Sequence, residues 1–212
     1  MTSRPSPTQN DHVTQMDCPH VKQHKMKRRR VAQATDSNRL GKMVVRHVTP
    51  STTQFVISGM EALQREFAKD DPLHRLRCRL GYGTWVVRRH VRQSARRKGA
   101  IRVSYVNRVP VGFVAFTTHQ IPIGNRFEGV QSRIGTIDFL WVKPSFRRIG
   151  IGRKLIDDAL CQLAKDGCDM AKADLFHFSS ISIRLFQRAG FSTRHVIVSI
   201  PLGGFPTWHG RD

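Results

Sequence analysis

The sequence predicts an α+β domain that follows a basic, disordered N-terminal tail. Two observations predict the domain: apolar residues alternate with polar ones after residue 100, as in half-buried strands, and recur at helical spacing over residues 150–165. The tail is predicted because residues 1–40 are rich in polar and basic residues and have almost no periodic apolar pattern. We expect a tail at 1–40, a domain at 41–203 and a short C-terminal tail at 204–212.

The expected elements follow the order strand, helix, helix, strand, strand, strand, helix, strand, helix, strand. Their approximate bounds are residues 42–48, 50–70, 73–98, 101–105, 111–121, 133–143, 150–165, 169–178, 180–188 and 195–200. The first helix has a start signal at Pro50 and ends near Pro72. Leucine and valine recur at helical spacing in the long second helical stretch, which Gly81 and Gly83 can divide into two pieces.

After this stretch the apolar pattern changes to period two. Ile101, Val103 and Tyr105 alternate with other residues, and a turn at 107–110 leads into a longer partner strand. A loop with glycine and asparagine precedes the strand at 133–143. The later elements are bounded in the same way, by changes between strand-like and helix-like spacing.

Residues 137–155 carry the most informative motif. An apolar run ends at Pro144, basic residues follow, and Gly150 and Gly152 open a helix. Free N–H groups and the dipole at a helix N-terminus attract anions, and glycine removes side chains that would block the approach. The motif therefore predicts a pyrophosphate site, although a basic strand–helix turn explains it equally well when it is taken alone. The basic residues that add to the field are Arg147, Arg148, Arg153 and Lys154.

This segment resembles the acyl-CoA signature of the GNAT acyltransferase superfamily. Residues 147–152 match the pattern Arg/Gln-x-x-Gly-x-Gly/Ala, and residues 142–146 match its Val-x-Pro-x-aromatic lead-in. Residues 185–191 are similar to the family's helix end, and the resemblance is specific over residues 133–201. It implies a mixed, mostly antiparallel central sheet flanked by helices, with acetyl-CoA as the co-substrate.

The resemblance also implies where the cofactor binds. Backbone groups of the strand before the glycine turn are implied to hold the pantetheine, and one backbone N–H is implied to donate to the developing oxyanion. The implied cofactor-binding residues are Leu140, Trp141, Val142, Arg147, Arg148, Ile149, Gly150, Ile151, Gly152, Arg153 and Ser179.

Acyl transfer to an amine requires a base that removes the amine proton. Strict alternation along the strand at 133–143 puts Thr136, Asp138 and Leu140 on one face, and Asp138 is the one carboxylate among them. Asp138 is therefore the predicted base, with Glu128 on the preceding loop as a second candidate. Asp138 can alternatively bind a substrate cation or pair with an arginine.

The departing thiolate is a better leaving group when an acid donates a proton to its sulfur. The family often has a tyrosine where this chain has Phe186, and phenylalanine cannot donate a proton. Ser180, His177 or water can take this role, and Ser180 is the side chain that we predict. Ser179 stands where the family often has an asparagine that contacts the cofactor.

The chain carries a formal charge of +21, from 36 Lys and Arg against 15 Asp and Glu. One bound CoA does not require such an excess, which attracts polyanions in general. Arg88, Arg92 and Arg96 share one face of a predicted helix, where like charges four residues apart repel. Two explanations of this arginine face remain open: it binds an anion, or it is simply the solvated face of a helix whose opposite face is buried. The basic run at residues 25–30 suits phosphate contacts or nuclear import.

The sequence predicts a cytoplasmic protein, with a nuclear location as the alternative in a eukaryotic cell. No run of about 18 apolar residues indicates a membrane span, and the N-terminus lacks the apolar region of a signal peptide. Cysteines are scattered, which fits a reducing compartment. Cys18, His20 and His24 lack a fourth partner, so we expect no metal site.

The leading functional hypothesis is an N-acetyltransferase that modifies an amine on a macromolecule, with a protein lysine or N-terminus as the first choice. The arginine-rich stretch at 73–98 indicates an acidic protein, a ribosomal complex or a charged tRNA as the partner. The alternative is a GNAT-like module that binds nucleic acid or a large complex with weak or no catalysis. For Phe205 and Trp208 we expect one of two roles, docking on a second copy of the chain or capping the sheet.

Overall fold

Five strands form one sheet in the order β1-β2-β3-β4-β5. The computed structural model describes residues 42–121, 132–194 and 196–198. The elements are β1 Met43–His47, α1 Pro50–Asp70, α2 Tyr82–Arg97, β2 Gly99–Val106, β3 Val109–Ile121, β4 Ser132–Val142, α3 Ile151–Lys165, β5 Met170–Ala173 and α4 Ser180–Arg188. The two predicted tails, the predicted base candidate Glu128 and the cysteine–histidine group near residue 20 lie outside the described residues.

The sheet is antiparallel from β1 to β4 and parallel between β4 and β5. Antiparallel neighbours need only short turns, whereas the parallel pair requires a crossover, which α3 supplies. The predicted α+β class and the mixed, mostly antiparallel sheet are therefore confirmed.

Helices cover both faces of the sheet. Phe113 and Ala115 of β3 pack with α1 and α2, in a core that also contains Trp141. Val114 and Phe116 point to the other face and pack with α3 and Phe186 of α4. This alternation follows from the period-two geometry of a strand. Because both faces of the sheet are covered by helices, the site lies where neighbouring strands end or diverge.

The predicted helix at 73–98 is wrong in its first third, because α2 begins only at Tyr82. The buried carboxylate of Asp71 accepts backbone N–H bonds from Leu73, Arg75 and Leu76 at 3.0, 2.7 and 2.8 Å. These bonds hold the chain in a non-helical path, as Asp commonly does in turns. Gly81 then adopts a φ of +72° at the start of α2, a conformation that favours glycine.

Two predicted strands also differ from the structure. The strand expected at 169–178 is reduced to β5, Met170–Ala173. The closing strand expected at 195–200 is absent over the described residues 196–198, where the exposed fractions of Val196, Ile197 and Val198 are 68, 82 and 89%. Branched apolar residues favour a strand by propensity, but a strand forms only where a neighbour pairs with it.

Among the residues that the structure describes, no helix has the length and apolar character required to cross a membrane. The same part of the chain contains no group of three His, Cys, Asp or Glu side chains arranged to hold a metal ion.

Candidate functional site

Strands β4 and β5 part about halfway along β4, at one edge of the described sheet. Their pairing runs from Ile134 opposite Met170 to Ile137 opposite Ala173 and then stops. β5 ends there, whereas β4 continues to Val142. A gap therefore opens beside the second half of β4, and we call this point of divergence the fork.

Asp138 lies at the fork as the extra residue of a β-bulge. Ile137 pairs with Phe116 of β3 and Phe139 pairs with Ala115, so Asp138 has no residue opposite it. The bulge changes the alternation along β4. Thr136 and Asp138 line the same cleft, as expected, but Leu140 packs against the α3 core on the other face. The prediction that Leu140 shares their face is therefore wrong.

Backbone groups of β4 point into the gap beyond the fork. The N–H of Lys143 donates to the carbonyl of Val111 in β3 at 2.8 Å. Since alternate residues of an antiparallel strand face the same neighbour, the N–H and C=O groups of Leu140 and Val142 face away from β3. The carbonyl of Val142 accepts a bond from Arg147 Nε at 2.8 Å. The side chain of Trp141 is buried instead, with its ring 5.9 Å from that of Phe113.

The turn after β4 presents backbone N–H groups at the start of α3. Arg148 and Gly150 have φ values of +66° and +89°, and the helix begins at Ile151. The first intrahelical bond runs from the N–H of Lys154 to the carbonyl of Gly150, at 3.1 Å. The N–H groups before it have no helical partner, and the first turn contains no acidic residue. This arrangement suits an anion.

The two glycines have different structural roles. A Cβ atom at Gly150 would meet no atom within 4 Å, so the positive φ is what requires glycine there. A Cβ atom at Gly152 would lie 3.0 Å from Leu185 Cδ2, so this glycine allows α4 to pack closely on α3. The sequence-based expectation that both glycines clear the approach of an anion therefore misses the packing role of Gly152.

Two of the predicted cofactor-binding arginines are engaged within the protein. Arg147 forms an ion pair with Glu66 of α1, and Arg153 bonds Asp157 and the carbonyl of Arg188. Their side chains fix α1 and α4 around the turn. Arg148 and Ile149 are exposed at the turn, whereas Ile151 is buried and can offer only its backbone N–H.

The carboxylate of Asp138 is half-buried between β3 and α2. The hydroxyl of Thr117 donates to its Oδ2 at 2.9 Å, and Nδ1 of the buried His90 lies 3.7 Å from the same oxygen. Burial is the main cause that raises the pKa of Asp138 to about 6; the negative charge of Asp174 acts in the same direction, and the hydrogen bond from Thr117 and the charges of Lys172 and Arg97 oppose it. Burial lowers the pKa of His90, so its ring is neutral above the ordinary value of 6.5.

Asp138 is expected to reduce the stability of the fold at neutral pH. Its pKa rises from 3.8 to about 6 on folding, so the stability that the protonated form contributes is complete below about pH 4 and is lost as the pH rises through 6. Asp138→Asn should therefore raise the free energy of unfolding at pH 8 by about 3 kcal/mol and change it little at pH 4. Urea denaturation at both pH values measures this, and an equal effect at both would contradict it.

The fork opens into a cleft of about 280 Å³ between β4, β5 and α2. Its walls combine aromatic rings with two carboxylates, from Asp138 and Asp174. The guanidinium of Arg89 lies 5.2 Å from the centre of the Trp85 ring. The residues of α2 that line the cleft are Tyr82, Trp85, Val86, Arg89, His90 and Gln93.

The predicted acid and its neighbours lie elsewhere. Ser180 is the exposed first residue of α4, where its hydroxyl lies 3.4 Å from Arg184 Nη2, and it does not line the cleft. Ser179 precedes the helix, and its hydroxyl donates to Ser182 at 2.8 Å. The ring of Phe186 is buried in the α3 core.

Sequence reasoning missed three residues of the site: Thr117, His90 and Asp174. His90 belongs to a stretch whose arginines dominated the pattern, yet it lies on the buried side of α2 with Val86 and Val87. Asp174 was assigned to the interior of a longer strand. Its position directly after the short, mostly apolar stretch Met170–Ala173 was the available signal.

Comparisons with known proteins agree with this geometry. The model of the Acetyltransferase (GNAT) family matches residues 73–191, which is more than half of the chain. No curated protein matches the chain.

Similar solved structures include a tetramutant of the BH1408 protein from Bacillus halodurans, at 16% identity and a TM-score of 0.64, over 75% of this chain and 99% of that one. A GCN5-related N-acetyltransferase from Ralstonia eutropha JMP134 has 23% identity and a TM-score of 0.58, over 77% and 100%. A protein from Clostridium acetobutylicum described as a predicted acetyltransferase, solved with acetyl-CoA, has 13% identity and a TM-score of 0.58, over 76% and 97%. These similarities show a shared fold. The family match establishes that the chain belongs to the GNAT family, whose members are generally acetyl-CoA-dependent N-acetyltransferases.

Proposed function

We propose that this chain transfers an acetyl group from acetyl-CoA to an amine carried by a macromolecule. The observation that carries the proposal is that one strand, β4, connects the predicted base to the predicted cofactor-binding turn. β4 bears Asp138 at the fork and leads directly into the glycine turn that opens α3. A cofactor anchored at that turn can therefore extend along β4 toward Asp138.

The described residues fit acetyl-CoA. The N–H groups at the start of α3 suit its diphosphate, because an unopposed helix N-terminus favours negative charge. Backbone groups of Leu140 and Val142 point into the gap, where they can bind the amides of pantetheine. The Val142 carbonyl is shared with Arg147, which leaves the Leu140 groups as the better partners. When bound, acetyl-CoA supplies a thioester whose carbonyl carbon accepts a nucleophile.

Asp138 acts as the base in this proposal. Its pKa of about 6 keeps it ionised at neutral pH yet closer to the operating pH than an ordinary carboxylate. Thr117 holds one carboxylate oxygen and leaves the other for the amine. The N–H of Leu140 is the proposed oxyanion donor. The proton for the departing thiolate comes from Ser180 or water, because Phe186 has none to give.

The macromolecular acceptor is proposed from the charge of α2, the helix that supplies one wall of the cleft. Residues 72–98 contain no acidic residue, and the exposed side chains of Arg88, Arg92 and Arg96 have no ion pair among the described residues. Such a surface attracts an anionic partner. We propose an acidic protein surface around the acceptor amine, and the second candidate is a nucleic-acid-binding module, which the same arginines favour.

Labelled acetyl-CoA tests the proposal. The full chain is incubated with isotope-labelled acetyl-CoA and cell lysate, and proteins and RNA are analysed separately by mass spectrometry. We expect the label on amines of a small set of acidic proteins, and no enzyme-dependent label with Asp138→Asn. Label on RNA would indicate that the acceptor is a nucleic acid and not a protein. If neither fraction carries label and RNA binding weakens steeply with salt, the result would contradict the enzyme proposal and favour the nucleic-acid-binding module.

A further inference from the structure

The solvent-facing side of α2 carries two neighbouring rows of side chains. Arg88, Arg92 and Arg96 recur every four residues and are exposed. Val91 and Ala95 form a second exposed row with the same spacing, and Val91 is 52% exposed. The two rows are adjacent, because residues three apart on a helix are neighbours on its surface. We call these five residues the α2 ridge.

The charge of the ridge is not neutralised within the described part of the chain. None of its guanidinium groups forms an ion pair there, and residues 72–98 contain no acidic residue. Arg89 differs from them, because it lies over the Trp85 ring where α2 lines the cleft. The ridge residues do not line the cleft. Their charge is therefore available to a partner that binds outside it.

The apolar row decides which class of anionic partner fits the ridge. A phosphate backbone offers charge alone, and exposed nucleobases bind proteins mainly by stacking on aromatic rings. Val91 and Ala95 offer no such ring, and the exposed ring of Trp85 already has Arg89 over it. An acidic polypeptide can offer carboxylates to the arginines and aliphatic side chains to the apolar row. Removal of Val91 from water then adds to the charge attraction.

The dimensions and the charge of the ridge limit the partner further. The arginine row extends about 12 Å along the helix axis. This length suits a short segment of a partner and not a large obligate interface. A second copy of the chain fits poorly, because each copy carries a formal charge of +21 and the two would repel.

We propose that the α2 ridge docks an acidic, amphipathic segment of a partner polypeptide, whose carboxylates contact the arginine row and whose aliphatic side chains contact the apolar row. This inference rests on the proposed function in one respect, because the docked segment belongs to the acceptor. Trp85 and Arg89 lie on the same helix and line the cleft. A polypeptide held on the ridge can therefore extend past them toward the fork.

Peptide binding without turnover tests the ridge. The probe is a fluorescein-labelled helical peptide of about 15 residues, with glutamate at every fourth position and leucine beside each glutamate. One control peptide has glutamine for every glutamate, and the other has alanine for every leucine. Fluorescence anisotropy with the full chain measures the affinities. We expect binding about tenfold weaker with the glutamine peptide and about fivefold weaker with the alanine peptide.

Substitutions on the ridge identify the binding surface. Replacement of its three arginines by glutamine should weaken binding of the acidic peptide at least about tenfold, and Val91→Ser should weaken it about threefold. Glutamine is also a good helix former, so circular dichroism should show unchanged helix content in the arginine variant. The matched control removes three exposed positive charges outside α2 and should change the affinity less than about twofold. Its substitutions are Arg46→Gln, Lys69→Gln and Lys165→Gln.

Equal losses in the arginine variant and its charge-matched control, or equal binding of the three peptides, would overturn the proposal. So would a poly(U) RNA that binds more tightly than the acidic peptide and depends on the same arginines, because the ridge would then bind nucleic acid. Asp138→Asn should bind the peptide as the wild type does. Failure of the wild-type chain to bind acetyl-CoA would contradict the proposed function and leave the peptide result standing, so the two failures are distinguishable.

Discussion

Asp138→Asn is expected to lower kcat for acetyl transfer by about 10²–10⁴-fold, the usual contribution of a positioned base. Asparagine fills the same space and can still accept the Thr117 hydroxyl bond, but it cannot take a proton from the amine. Acetyl-CoA affinity should remain within about twofold, because the amide lies at the fork and not at the glycine turn. Steady-state release of free CoA, with a separate titration of acetyl-CoA, measures both quantities.

The control for this substitution is Asp70→Asn, at the exposed end of α1, which should retain full activity. The wild-type rate should rise with pH through about 6, as the Asp138 carboxylate ionises. A variant that keeps more than about a tenth of the wild-type kcat would contradict the assignment of Asp138 as the base.

Gly150→Glu is expected to weaken acetyl-CoA binding by about 100-fold or more. Gly150 has a φ of +89°, which a side-chain-bearing residue adopts with strain. The new carboxylate would also place a negative charge beside the N–H groups that are proposed to hold the diphosphate. Isothermal titration with acetyl-CoA measures the loss.

Gly167→Glu is a matched control for the strain. Gly167 follows the opposite end of α3, has a φ of +80°, and has no atom within 4 Å of an added Cβ. Both variants should lose a similar free energy of unfolding, about 1 kcal/mol. Only Gly150→Glu should lose acetyl-CoA affinity. Equal acetyl-CoA affinities in the two variants would show that the glycine turn does not bind the cofactor.

The features that the sequence predicts well are local. The glycine turn, the helix after it and the helix at 180–188 depend on residues close together in the chain, and the structure places them within about one residue of the expected bounds. Family resemblance covers the same segment. The arginine face of α2 is also local, because its periodicity is independent of what packs against the helix.

The features that the sequence does not reveal depend on pairing between distant segments. The bulge at Asp138 exists because β3 and β4 change register there, and it is what moves Leu140 to the opposite face. The fork likewise depends on where β5 stops. The loop before α2 is non-helical because Asp71 competes for backbone N–H groups that the leucine spacing assigned to a helix.

The same distinction separates Asp138 from its partners. Asp138 was predicted because strand alternation makes it the one carboxylate on its face, whereas His90 and Thr117 reach it from α2 and β3 across the fold. Asp174 reaches the fork only because β5 is parallel to β4.

A comparison of acetyl-CoA with S-acetylpantetheine, which lacks the diphosphate and nucleotide, tests most directly whether the glycine turn holds the cofactor. Wild-type protein should bind acetyl-CoA about 100-fold more tightly than S-acetylpantetheine. In Gly150→Glu the two affinities should converge, because only the contact to the anion is removed. Equal affinities of the wild-type protein for both compounds would contradict the account.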